Sequence, residues 1–215
     1  MIKHLSDTSR TIAYGQEYSP TWVDQFGVWL SWRKILKSLP KNGIKPRWGD
    51  FGSGYHAALT RRAISHISSA IIIDLNTADD LKEHSKINVI EGSLPTALEG
   101  LESESLDIIV CNSVIEHLWK PEETLAHFYR LLAPGGCCFI NVPSWRGKWF
   151  LEFFSFRLSL SPVAEMNDHK TYYDPRDLWP MLVKVGFLPF YIQCRRHKFG
   201  LNTFARCRKP GAIDD

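Results

Sequence analysis

The sequence predicts an α/β fold on a mostly parallel sheet, on three observations. Short apolar runs alternate with stretches of helical period, a Gly-x-Gly turn follows one such run, and the last two runs are close enough to pair antiparallel. The runs Ala70–Asp74, Ile87–Ile90, Leu106–Cys111 and Cys137–Val142 are short, continuous and rich in β-branched residues. Strands covered on both faces read this way. Helices are expected between them at 55–68, 78–85 and 121–132. Pro121 suits a first helical position, Glu122 and Glu123 suit the positive end of the helix dipole, and Leu125, Phe128 and Leu132 form an apolar stripe.

Ahead of this core, residues 1–20 are polar and read as a loose arm. Thr21 to Leu39 carries Trp22, Phe26, Trp29, Leu30, Ile35 and Leu36 at helical spacing, and Pro40 ends it. After Pro143 the alternation breaks for about thirty residues. It resumes with a helix at 175–185, a Gly186-Phe187 stop, and strands near 188–195 and 199–206. The expected organisation is a single domain over 1–215. It comprises an arm and helix (1–44), a ligand-binding half (45–143), an aromatic insert (144–173) and a C-terminal helix with a strand pair (174–207).

Composition narrows the function classes. The 215 residues are 44% apolar and carry 26 basic and 23 acidic side chains, a net charge of +3. That balance is too even for a polyanion-binding surface, so no nucleic-acid partner is expected. The N-terminus lacks an apolar core of signal-peptide length, and no run reaches the roughly 18–20 apolar residues of a spanning helix. Five cysteines without a CxxC pair point to a reduced, cytoplasmic protein. The anomaly is an aromatic content of 13%, with eight Trp.

An open α/β sheet binds its ligand beyond the carboxyl ends of the strands. There the chain offers Asp50-Phe-Gly52-Ser53-Gly54, whose glycines permit a tight turn and close backbone approach to a ligand. The next strand ends in Asp74, a carboxylate able to accept both hydroxyls of a ribose. Gly52 to Ala57 also matches the dinucleotide pattern G-x-G-x-x-A, which keeps a nicotinamide-dependent oxidoreductase as an alternative. Asp50 argues against it, because a carboxylate there repels a pyrophosphate and favours a cationic ligand.

Further motifs carry a resemblance. Asp50-x-Gly52-x-Gly54, Asp74, the strand Leu106–Asn112 running into Glu116-His117-Leu118, Arg130-Leu-Leu-Ala-Pro-Gly-Gly136, and the late Asp168-His169 … Gly186-Phe187 occur in order. Together they resemble a class I, Rossmann-like S-adenosylmethionine-dependent methyltransferase of the small-molecule and glycan-pathway branch. The resemblance implies a three-layer sandwich with a seven-stranded, mostly parallel sheet and an antiparallel C-terminal strand. It implies S-adenosyl-L-methionine held by Asp50, Gly52, Ser53, Gly54, Asp74, Leu75, Ser93, Leu94 and Asn112. It further implies methyl transfer to O or N of a small acceptor, such as a sugar or glycan-pathway intermediate. The chain departs from the family pattern twice: His56 replaces a third glycine, and Ser93 follows Gly92 where an Asp is common. These departures sustain a second alternative, a methyltransferase-fold binding or scaffold protein without catalysis.

A sulfonium donor is already activated, so the enzyme chiefly holds the acceptor in line, with a base where the acceptor loses a proton. His117, just past the fourth strand, and His169, beside Asp168, are the candidate catalytic residues. No spacing fits a metal site. The insert, with Trp145, Trp149, Phe150, Phe153, Phe154 and Phe156, is expected to form an apolar lid. Contact between this insert and a membrane or lipid-linked acceptor is a further reading.

Overall fold

The computed structural model describes residues 12–40, 43–149 and 170–211. Its sheet has seven strands: β1 (Arg47–Phe51), β2 (Ser69–Asp74), β3 (Ile87–Glu91), β4 (Leu106–Asn112), β5 (Leu132–Pro143), β6 (Ile192–His197) and β7 (Asn202–Arg208). Their order is β3-β2-β1-β4-β5-β7-β6. Pairings from β3 through β5 are parallel, and β7 runs antiparallel to both β5 and β6. The order reverses between β1 and β4, and a crevice opens at such a reversal.

Strict alternation along each strand builds two cores. In β4, Ile108 and Val110 enter one cluster with Trp32, Ile35 and Leu59, while Ile109 and Cys111 enter another with Phe128, Leu178 and Phe187. The first face is covered by α1 (Trp22–Leu36), α2 (Ala58–Ala63) and α3 (Asp79–Lys82). The second is covered by α4 (Pro121–Leu131) and α5 (Pro175–Lys184).

The late motifs have structural reasons. Arg130 of α4 donates to the carbonyls of Leu101 (2.6 Å) and Leu98 (2.8 Å), pinning the loop before β4. Gly186 takes φ +114 against the Tyr129 ring, and buried Phe187 packs edge-on to that ring at 5.0 Å. Asp174 and Asp177 form a capping box at the start of α5.

Several expectations are corrected. The helix expected at 55–68 is the six-residue α2, because 52–57 is spent on the turn and Ala57 itself sits at φ +43. The helix expected at 78–85 shrinks to α3. Both C-terminal strands begin later than expected, since 189–191 and 198–200 form 3-10 turns. Nor is the whole arm loose: Tyr14 C=O accepts the Tyr55 N–H at 2.9 Å. Of the insert, 145–149 is helical, and 150–169 lies outside the described residues.

The α1 stripe is the instructive error. Ser31, Trp32 and Ile35 are the buried residues, while Trp22, Phe26, Trp29 and Leu36 are exposed. Helical spacing alone cannot tell which of two apolar stripes faces the sheet. Trp32→Ala should therefore cost about 3–5 kcal/mol of stability, and Trp22→Ala no more than about 0.5 kcal/mol. Denaturant titration of the two variants checks this.

Candidate active site

The strand edge at the reversal is knitted by backbone donors. Gly52 and Ser53 donate to Ile73 C=O at 2.8 and 3.3 Å. Gly54 N–H donates to one Asp74 oxygen and Leu75 N–H to the other, both at 2.8 Å. Gly92 N–H completes the edge by donating to Asp74 C=O at 2.9 Å. Asp50, Gly52, Ser53, Gly54, Asp74, Leu75 and Ser93 are thus gathered along the ends of β1, β2 and β3. The turn needs its glycines: φ is +74 at Gly52 and +71 at Gly54. A Cβ on Gly52 would meet Val114 Cγ2, and one on Gly54 would press on Tyr14 C=O at 3.3 Å.

Leu94, whose expected contribution is its backbone, turns its side chain into the core with Leu98 and Leu118. His56, at the missing third glycine, is exposed and sets its ring edge-on to Tyr55. The turn absorbs the substitution by placing Ala57 in the left-handed region instead.

Asp50 is not open to a ligand as expected; it is almost wholly buried beneath the turn. Trp48 Nε1–H donates to Thr60 Oγ1 at 3.0 Å, and the Thr60 hydroxyl donates to Asp50 at 2.7 Å. Burial pushes the Asp50 carboxyl up to about 7, against the Thr60 hydrogen bond and with help from the nearby Asp74 charge.

Beyond β4 lies the other half of the edge. Asn112 Oδ1 accepts from Asn141 Nδ2 at 3.0 Å across β4 and β5, and Asn141 Oδ1 is buried without a hydrogen-bond partner among the described residues. The pair lines a narrow crevice with Ser31 and Ile35 of α1, Phe139 and Phe204. His117, half-buried, ends a 3-10 turn that leaves β4 towards this edge. His169 lies outside the described residues.

Three groups here escape sequence reasoning. Glu116 is fully buried beside His117, and its carbonyl accepts the N–H groups of Lys170 (2.7 Å) and Thr171 (3.3 Å). The motif containing it was legible, its burial was not. Lys198, in the turn between β6 and β7, sends Nζ to within 3.2 Å of where a Cβ on Gly27 of α1 would stand. Burial drives this ammonium down to about 8, opposed by the charges of Glu116 and Asp24. His197 is buried against Phe204 and pushed down to about 4 by burial and by Lys34 and Lys198. Nothing local in the sequence marks these last two, which reach the edge from a distant hairpin.

Comparison with known proteins now decides the family. The profile described as "Methyltransferase domain" matches residues 25–189, well over half of the chain. The chain belongs to the methyltransferase-domain family. A probable S-adenosylmethionine-dependent methyltransferase of Mycolicibacterium smegmatis is 27% identical over 93 residues, 43% of this chain. That stretch spans about a third (35%) of the relative. In structure the methyltransferase resembles a SAM-dependent methyltransferase of Archaeoglobus fulgidus, with TM-score 0.63, 16% identity, and coverage of 88% of this chain and 100% of that one. It also resembles an O-methyltransferase family protein of Burkholderia thailandensis, with TM-score 0.63, 16% identity, and coverage of 88% and 57%. These likenesses show the fold, and the family implies S-adenosyl-L-methionine as cofactor. The nicotinamide alternative falls away.

Two titrations test the buried groups. Ionising Asp50 costs stability as pH rises from its ordinary 3.8 to about 7. Asp50→Asn, which still accepts from Thr60, should be a few kcal/mol more stable than the native chain above pH 7 and lose that advantage below pH 4, read by denaturant unfolding. In reductively 13C-methylated protein, one lysine resonance should titrate near pH 8, and Lys198→Met should remove it.

Proposed function

We propose that the methyltransferase binds S-adenosyl-L-methionine over the β1–β3 ends and methylates O or N of a small acceptor over the β4–β5 ends. The carrying observation is the Gly52–Gly54 turn, held at positive φ at the end of β1 while Asp74 stands at the end of β2. The cofactor fits this cradle. Its ribose hydroxyls would find an acceptor in the Asp74 carboxylate, which stands at the end of β2 beside the turn. Leu75 and Ser93 would border the adenine, with Leu94 contributing backbone alone.

The cofactor supplies a methyl group on a positively charged sulfur. What remains for the chain is placement and proton handling. Asp50 lies under the turn at a carboxyl held near neutral pH, so a nearby positive charge draws it into its ionised form. Asn141 Oδ1 is buried beside Asn112 without a hydrogen-bond partner among the described residues. His117, in the turn that follows β4, would take the proton that an acceptor hydroxyl sheds. A sugar or glycan-pathway intermediate is supported by the branch that the sequence motifs resemble.

Isothermal titration with S-adenosyl-L-methionine tests the assignment. Asp74→Asn should weaken binding roughly tenfold or more. Below pH 7 native binding should release a proton and weaken as pH falls, and Asp50→Asn should abolish that dependence. Undiminished affinity in Asp74→Asn would remove the ribose role from this site.

A further inference from the structure

Among the described residues, the outer face of α1 is unpartnered and chemically one-sided. Trp22, Phe26 and Trp29 recur at helical spacing, with Trp22 80% exposed, and Phe26 stacks on Trp29 at 5.5 Å. Arg33 lies over Trp29 with its guanidinium carbon 4.9 Å from the ring centroid, and Lys37 follows one turn later. Neither cation meets a carboxylate among the described residues, although Arg47, Arg61, Lys82 and Lys184 elsewhere do. The acidic residue of α1, Asp24, is committed to the Thr21 capping box. Phe199 adjoins this face at the tip of the β6–β7 hairpin, 88% exposed and at φ +60, while its neighbour Lys198 packs on Gly27.

An exposed aromatic stripe mixed with cations and lacking free acids matches the headgroup layer of an anionic bilayer. Indole and phenyl rings settle at the acyl boundary, and Arg and Lys stay with the phosphates. We infer that this methyltransferase docks peripherally on anionic membranes through the outer face of α1 and Phe199. The inference uses no part of the cofactor assignment. It moves the contact from the insert, where the sequence placed it, to the helix and hairpin.

Sedimentation of the full chain with vesicles tests it. The protein should pellet with phosphatidylcholine vesicles containing phosphatidylglycerol, stay in solution with phosphatidylcholine alone, and be released by salt. Arg33→Ala with Lys37→Ala should weaken binding roughly thirtyfold. Trp22→Ser with Phe26→Ser should abolish binding and the quenching of Trp fluorescence by brominated lipid. Unchanged circular dichroism and S-adenosyl-L-methionine affinity establish that both variants are folded. Indifference to the anionic lipid overturns the proposal, as does undiminished binding by either double variant. A homodimer in sedimentation velocity that Trp22→Ser with Phe26→Ser dissociates also overturns it.

Discussion

Asp74 ties the site to the sheet. One oxygen accepts from Gly54 and the other from Leu75, so a single side chain holds the turn after β1 against the end of β2. The turn cannot relax elsewhere, because Gly52 is closed in by Val114 and Gly54 by the Tyr14 carbonyl. A carboxylate at this point shapes the turn and puts a negative charge at the strand edge. That economy follows from the reversal of strand order, which leaves the ends of β1 and β4 uncovered by any crossover.

Charge divides the strand edge into two halves. Asp50 and Asp74 load the β1–β2 side with negative charge, one of them buried and poised near neutrality. Lys34, His197 and Lys198 stand on the opposite side, and burial drives all three down, with Arg195 adding to the fall at Lys34 and with Lys34 and Lys198 adding to that at His197. Burial raises Cys111 and Tyr173, the Glu116 charge adds to both rises, and the same charge opposes the fall at Lys198. A cationic donor on the acidic side and an electron-rich acceptor on the other is the arrangement such a field favours.

The motifs were legible because each is local. The Gly52 and Gly54 turn and the Gly186-Phe187 stop are marked by adjacent residues, and the structure places them where the spacing predicts. Leu94 shows the limit: the sequence names the position, and only core packing fixes where its side chain goes. Asp50 shows another: the sequence places a carboxylate before the turn and cannot reveal that Thr60 and Trp48 bury it. The helix α1 carries two apolar stripes, and only the contact with Trp48, Ile108 and Phe139 selects Trp32 and Ile35 for the core.

The aromatic excess divides on the same ground. By itself the sequence determined the class of fold, the order of its motifs, and the glycine turn that follows β1. Each of those is written in backbone preference and strand periodicity over short spans. Only the tertiary structure decided which aromatics are core and which are surface. It alone brought Asn141 to Asn112 and Lys198 to Gly27. Those meetings join strands and turns that are remote along the chain, and sheet order and register, which set them, are properties of the whole fold.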